Sequence, residues 1–280
     1  MARSVGGPAG RIDILGVGVD PLTVEELDAE IERLLRNGER GRVLNVNAHC
    51  LNLCHEDPEL RGFLNSAEVV FCDGAGVMLA ARILGRRIPE RITYADWTWR
   101  LAALSAAKGY SLYFLGARPG VAQAAAKRLQ QSYPNLAIVG FRHGCFDHSA
   151  KSPQNEAVVQ EINAAAPDIL LVGLGMPLQE YWLMENGHKL NVGVVLTGGA
   201  VFDYVSGRLS RGPGLLTGNG FEWLARLFVE PRRLWRRYLL GNPLFVLRVL
   251  WQRIRARSRA QATLDDHGLR QAAGSPRKRE

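Results

Sequence analysis

Residues 168–203 read DILLVGLGMPLQEYWLMENGHKLNVGVVLTGGAVFD. The runs Asp168–Val172 and Val192–Leu196 are strongly apolar, without the in–out alternation of a half-exposed strand, and a helical stretch near 178–189 separates them. Strands hydrophobic on both faces belong to parallel sheets covered by helices on both sides. Working outward, the same reading predicts strands at Ile12–Val19, Val43–Val46, Glu68–Cys72, Ser111–Leu115 and Ala137–Phe141. Between them lie helical patterns at Val24–Arg36, from Val46 through Leu64, and near 76–84, 95–108 and 119–132, with another opened by Ser152-Pro153. Thr23 and Gly38 punctuate the first of these as N-cap and stop. The class is α/β, a doubly wound, mainly parallel, Rossmann-like sheet with a helical, arginine-rich C-terminal appendage.

The charge is unevenly placed. Ten arginines and two glutamates within 221–259 account for the whole net charge of +8, so the rest of the chain is close to neutral. This divides the chain into a Rossmann-like core at 12–207 and a basic helical appendage at 208–259, with 1–11 and 260–280 expected to lack structure. The arm's arginines alternate with apolar clusters, as in Trp235-Arg-Arg-Tyr-Leu-Leu and Leu244–Trp251, which suits an anionic membrane surface better than a nucleic acid. No apolar run reaches the roughly 18 residues of a membrane span, and MARSVGGPAGR has no apolar core of a secretory signal. The four cysteines form no CxxC pair, which argues against a disulfide framework and a zinc ribbon and fits a reducing cytoplasm. The expected location is therefore cytoplasmic, peripheral at the inner face of the membrane.

In such a sheet, ligands bind beyond the carboxyl ends of the strands. The residues there are Asn45 and Asn47, Asp73-Gly74-Ala75-Gly76, Gly116-Ala117-Arg118, His143-Gly144, Gly173–Gln179 and Thr197–Asp203. The glycines, Gly74 and Gly144 among them, let a backbone approach a phosphate closely. Gly16-x-Gly18 does not complete a dinucleotide fingerprint, because Pro21 occupies the third glycine's place, and no P-loop occurs. That weakens an alternative reading as a nucleotide-dependent oxidoreductase. No DxD motif stands on the rim, and His49, Cys50, Cys54 and His55 do not make a compact tetrahedral set, so no metal site is expected.

The segments Asn65-Ser66-Ala67, Asp73–Gly76, Pro89-Glu90-Arg91, His143–Phe146, Gly173–Glu180, Glu222-Trp223-Leu224 and Glu230–Arg233 resemble the WecG/TagA/CpsF family of bacterial glycosyltransferases, glycosyltransferase family 26, over about residues 12–250. The resemblance implies an inverting transferase that takes N-acetylmannosamine, N-acetylmannosaminuronate or glucose from a UDP-sugar. The implied acceptor is an undecaprenyl-diphosphate-linked saccharide of cell-surface polysaccharide synthesis, and the UDP-sugar is a substrate rather than a cofactor. By this resemblance Asp73 is the base that deprotonates the attacking hydroxyl, and Gln179 contacts the donor diphosphate. Arg226, Arg233 and Arg236 match arm positions implicated in activity and would clamp phosphate in place of a metal. Asn45 and Asn47 could orient sugar or acceptor hydroxyls, although Asn45 departs from the threonine usual there. Asp203 could accept hydrogen bonds from ribose hydroxyls. A homo-oligomer is left open.

Overall fold

The computed structural model describes residues 10–209 and 222–273. Six strands form one parallel sheet: β3 (Gly41–Val46), β4 (Val69–Cys72), β5 (Leu112–Gly116), β6 (Ile138–Arg142), β7 (Ile169–Gly173) and β8 (Val194–Thr197), in the order β4-β3-β8-β7-β5-β6. Strands β4, β5, β7 and β8 are buried along their whole length. Successive side chains enter opposite layers. Leu44, Val46, Val70, Leu170 and Val172 meet one core, while Val43, Phe71, Phe114, Leu171 and Leu196 meet the other.

The first core lies under α2 (Ala48–Glu56), α3 (Pro58–Asn65), α4 (Ala75–Ile83), α7 (Pro153–Ala165) and α8 (Leu178–Asn186). The second lies under α1 (Val24–Arg36), α5 (Tyr94–Lys108), α6 (Val121–Ser132) and α9 (Val201–Val205). Thr23 and Glu26 close a reciprocal capping box at the start of α1.

Two elements of the core differ from the sequence expectation. Ile12–Val19 is a hairpin rather than one strand, with β1 (Ile12–Ile14) antiparallel to β2 (Val17–Val19). Leu15 and Gly16 both take positive φ, at 55° and 88°, the pairing a two-residue hairpin turn requires. The helical pattern through Leu64 breaks at Asp57. Its carboxylate caps α3 by accepting from Glu59 N and Leu60 N, and Pro58 occupies the first turn.

The arm comprises α10 (Glu222–Val229), α11 (Pro231–Trp235), a π-helical turn at Arg236–Leu240 and α12 (Gly241–Ala273). Residues 210–221, just after the expected start of the appendage at 208, lie outside the described residues. Helix α12 continues past residue 259, where composition predicts order to end. Its alanines, glutamines, leucines and arginines are good helix formers. It packs on α2 and α4 and buries Phe245 and Val249 within the first core. Gln252 accepts from Leu15 N and donates to Asp13 O, both at 3.0 Å, tying α12 to the hairpin turn.

Candidate active site

The chain leaves β3 for β4 on one side, and β8 arrives on the other. Crevices form where strand order reverses in this way. A cleft of about 1590 Å³ opens there, between the strand ends and the arm. Its floor carries a hydrogen-bonded triad. Asn45 Nδ2 donates to Asp73 Oδ2 at 2.8 Å, and Thr197 Oγ1 donates to Asn45 Oδ1 at 3.1 Å. The triad joins the ends of β3, β4 and β8. The Asp73 backbone N–H donates to Val46 O at 2.8 Å, which holds the carboxylate's own backbone in register.

Gly74 has φ 129°, a conformation closed to residues with a Cβ, and it starts α4 without any side-chain cap. Gly74, Ala75 and Gly76 line the cleft, so the positive end of a nine-residue helix borders it. The rim glycines have a second job. A Cβ on Gly116 would lie 2.3 Å from Gly173 O, one on Gly144 would lie 2.7 Å from Leu174 Cδ2, and one on Gly173 would meet Gly199 O at 2.9 Å. The loops after β5, β6, β7 and β8 interlock, and that steric demand explains Gly144 independently of any phosphate.

Three expected ligand-binding groups are engaged within the protein. Asn47 caps α2, with Oδ1 accepting from His49 N and Cys50 N, both at 3.1 Å. Arg237 Nη2 reaches the same oxygen at 3.5 Å. Gln179 is buried, and its amide bridges Gly199 N and the Glu180 carboxylate. Asp203 lines the cleft but pairs with Arg208 at 3.5 Å. Arg236 lines the cleft and lies 5.2 Å over the Trp235 ring. The side chains of Arg226 and Arg233 lie outside the described residues. Groups not singled out from sequence are Tyr94 and Arg237 on the cleft wall and Glu180 behind it; Thr197, foreseen only as the start of the rim after β8, is buried beneath the floor, and His49, weighed only as a metal ligand, lines the wall. Burial and the Arg237 guanidinium push His49 down to about 4, so it is neutral at pH 7. Among the described residues, no group of three or more His, Cys, Asp or Glu could hold a metal ion.

Comparison with known proteins bears on what this cleft does. Residues 12–259 match the glycosyl transferase WecG/TagA/CpsF family, a span that includes every strand and most of the arm. The chain belongs to that family. It is similar to the N-acetylglucosaminyldiphosphoundecaprenol N-acetyl-beta-D-mannosaminyltransferases of Staphylococcus aureus strains NCTC 8325 / PS 47 and COL. Each is 26% identical over 241 residues, 85% of this chain and 92% of theirs.

In this glycosyltransferase a buried carboxyl, Glu180, stands directly behind the cleft wall. Burial raises it to about 7 from an ordinary 4.5. A carboxyl raised on folding stabilises the protein below its unfolded value, and that contribution is lost as pH rises through the folded value. The melting temperature of the wild type minus that of Glu180→Gln is therefore expected to fall between about pH 5 and about pH 8. Scanning calorimetry across that range checks it, and a flat or rising difference contradicts it.

Proposed function

We propose that this glycosyltransferase moves N-acetylmannosamine from a UDP-activated donor to an undecaprenyl-diphosphate-linked N-acetylglucosamine, with inversion at the anomeric carbon. The Asn45–Asp73–Thr197 triad is the observation that carries the reading. It holds a carboxylate on the floor of a cleft whose far wall is an arginine-bearing arm. In the step envisaged, the acceptor hydroxyl oxygen bonds to the anomeric carbon as the carbon–oxygen bond to the diphosphate breaks. The hydroxyl proton passes to the Asp73 carboxylate and UDP departs with the electron pair. A single displacement of this kind inverts configuration. Asn45 fixes the carboxylate, and Thr197 fixes Asn45. The α4 N-terminus and Arg236 both border the cleft, and they are assigned to the negative charge that grows on the leaving diphosphate. Gln179 serves the donor side by holding the Gly198-Gly199 turn, next to which Asp203 stands.

The acceptor's lipid fits the arm. Among the described residues, no helix is long and apolar enough to cross a membrane. Leu244, Leu247, Trp251 and Ile254 nonetheless form an exposed stripe along α12, with Leu239, Leu240 and Trp235 exposed just before it. Arg236, Arg255 and Arg257 are exposed beside them. We assign this surface to the anionic inner face of the membrane, where each basic residue contributes about 1 kcal/mol.

A donor panel of UDP-N-acetylmannosamine, UDP-N-acetylmannosaminuronate and UDP-glucose against undecaprenyl-diphosphate-linked N-acetylglucosamine tests the reading, with UDP release as readout. Turnover is expected with the first donor and to persist in EDTA, because arginine rather than a metal is assigned to the diphosphate. Absence of turnover with every donor overturns the function, and EDTA inactivation reversed by magnesium overturns the metal-free assignment.

A further inference from the structure

Glu180 is fully buried in the first turn of α8, yet among the described residues no cation lies within ion-pair distance of it. Its Oε2 has no hydrogen-bond partner. A buried carboxyl left so poorly satisfied costs the fold, and an apolar side chain of equal size would suit the site better. Among the described residues, its one hydrogen bond to another side chain indicates what the cost supports. Gln179 Nε2 donates to Glu180 Oε1 at 2.8 Å, and Gln179 Oε1 accepts from Gly199 N at 3.0 Å. A carboxamide has a donor end and an acceptor end. Glu180, a pure acceptor when ionised, forces the donor end toward itself and the acceptor end toward Gly199.

Gly199, at φ 56°, turns the chain from β8 toward α9 and Asp203, and its own carbonyl abuts Gly173 at the end of β7. The orientation of one amide thus sets how two rim loops meet. The titratable and charged groups around the carboxyl are Cys50 and Cys54 on α2, Tyr94 at the head of α5, and Tyr181 on α8, with Arg237 of the arm facing Cys50. The hydrogen bond with Cys54, together with burial, pushes Cys50 up, and burial pushes Tyr94 up, so neither supplies an anion that could replace Glu180 as the acceptor.

We infer that Glu180 is a positioning residue for the transfer reaction, acting through Gln179 to fix the Gly198-Gly199 turn that shapes the donor half of the cleft. The inference rests on the proposed function only in taking the donor to be a UDP-sugar. Glu180→Met removes the acceptor while keeping the volume, and Glu180→Gln keeps an acceptor oxygen for Gln179.

The Met variant is expected to melt no lower than wild type at pH 8, because it relieves a buried carboxyl. It should nevertheless raise KM for the UDP-sugar and Kd for UDP by about tenfold, the effect of one lost hydrogen bond, with kcat changed much less. The Gln variant should restore both constants to within about threefold of wild type. Met and wild-type proteins with equal KM and Kd would overturn the inference. So would a Gln variant as impaired as Met, or a Met variant whose losses track a lowered melting temperature. Wild-type protein that binds no UDP in the same calorimeter would instead indict the proposed function.

Discussion

Asp73→Asn is expected to lower kcat by about two to four orders of magnitude, the range that a positioned general base contributes, while the affinity for UDP stays within about twofold. The asparagine keeps an oxygen to accept from Asn45 Nδ2, so the triad's geometry survives and only proton acceptance is lost. Asp73 stands at the end of β4, across the floor from the Gly198-Gly199 turn assigned to the donor's nucleotide half. Steady-state kinetics paired with calorimetric titration of UDP separate the two effects. A variant that turns over at near-normal rate would remove Asp73 from the mechanism and leave the triad as structural.

The second large effect concerns the arm. Replacing Leu247, Trp251 and Ile254 together with glutamate is expected to reduce binding to vesicles containing phosphatidylglycerol by about a hundredfold or more, since burying each such side chain is worth about 1.5–3 kcal/mol. All three are exposed and project from the side of α12 opposite Phe245 and Val249, so the fold should persist. Binding by the unaltered protein should also weaken steeply as salt rises, because surface charge is screened. Co-sedimentation that is unchanged in the triple variant would exclude this stripe from the contact. Cutting the chain at 209 is a poorer test than the charge boundary near 208 suggests. It would delete Phe245 and Val249 from the core, along with the bonds from Arg248 to Asn52 and from Arg253 to Leu84. One buried phenylalanine is worth about 3–5 kcal/mol, a large part of a typical domain's stability.

Several features were readable from the chain alone because they depend on local pattern. Strands β4, β5, β7 and β8 announce themselves by unbroken apolar runs, and Asp73 by its place after one of them. The hairpin at Ile12–Val19 was hidden because Leu15, an apolar residue within an apolar run, takes the left-handed conformation that only its neighbour Gly16 advertises. Asn47 looked like a ligand-binding amide because its spacing after a strand is equally that of a helix cap. Gln179 and Asp203 were found as residues of the rim, but the partners that occupy them, Gly199, Glu180 and Arg208, come from tertiary contacts no periodicity encodes. Arg237 was passed over for Arg236. The two are adjacent in sequence, and only the π-helical turn decides that Arg237 reaches Asn47.

The placement of the indoles has an optical consequence. Trp97 and Trp182 are sealed in the interior, whereas the two exposed tryptophans among the described residues, Trp235 and Trp251, both sit on the arm. Each lies beneath a guanidinium, Arg236 at 5.2 Å and Arg255 at 4.0 Å from the ring centre. A ring stacked with its own cation is held at the depth of lipid headgroups and kept from sinking into hydrocarbon. The red edge of the intrinsic emission therefore belongs to the surface assigned to lipid, and its quenching by headgroup-level probes would follow membrane arrival in unlabelled protein.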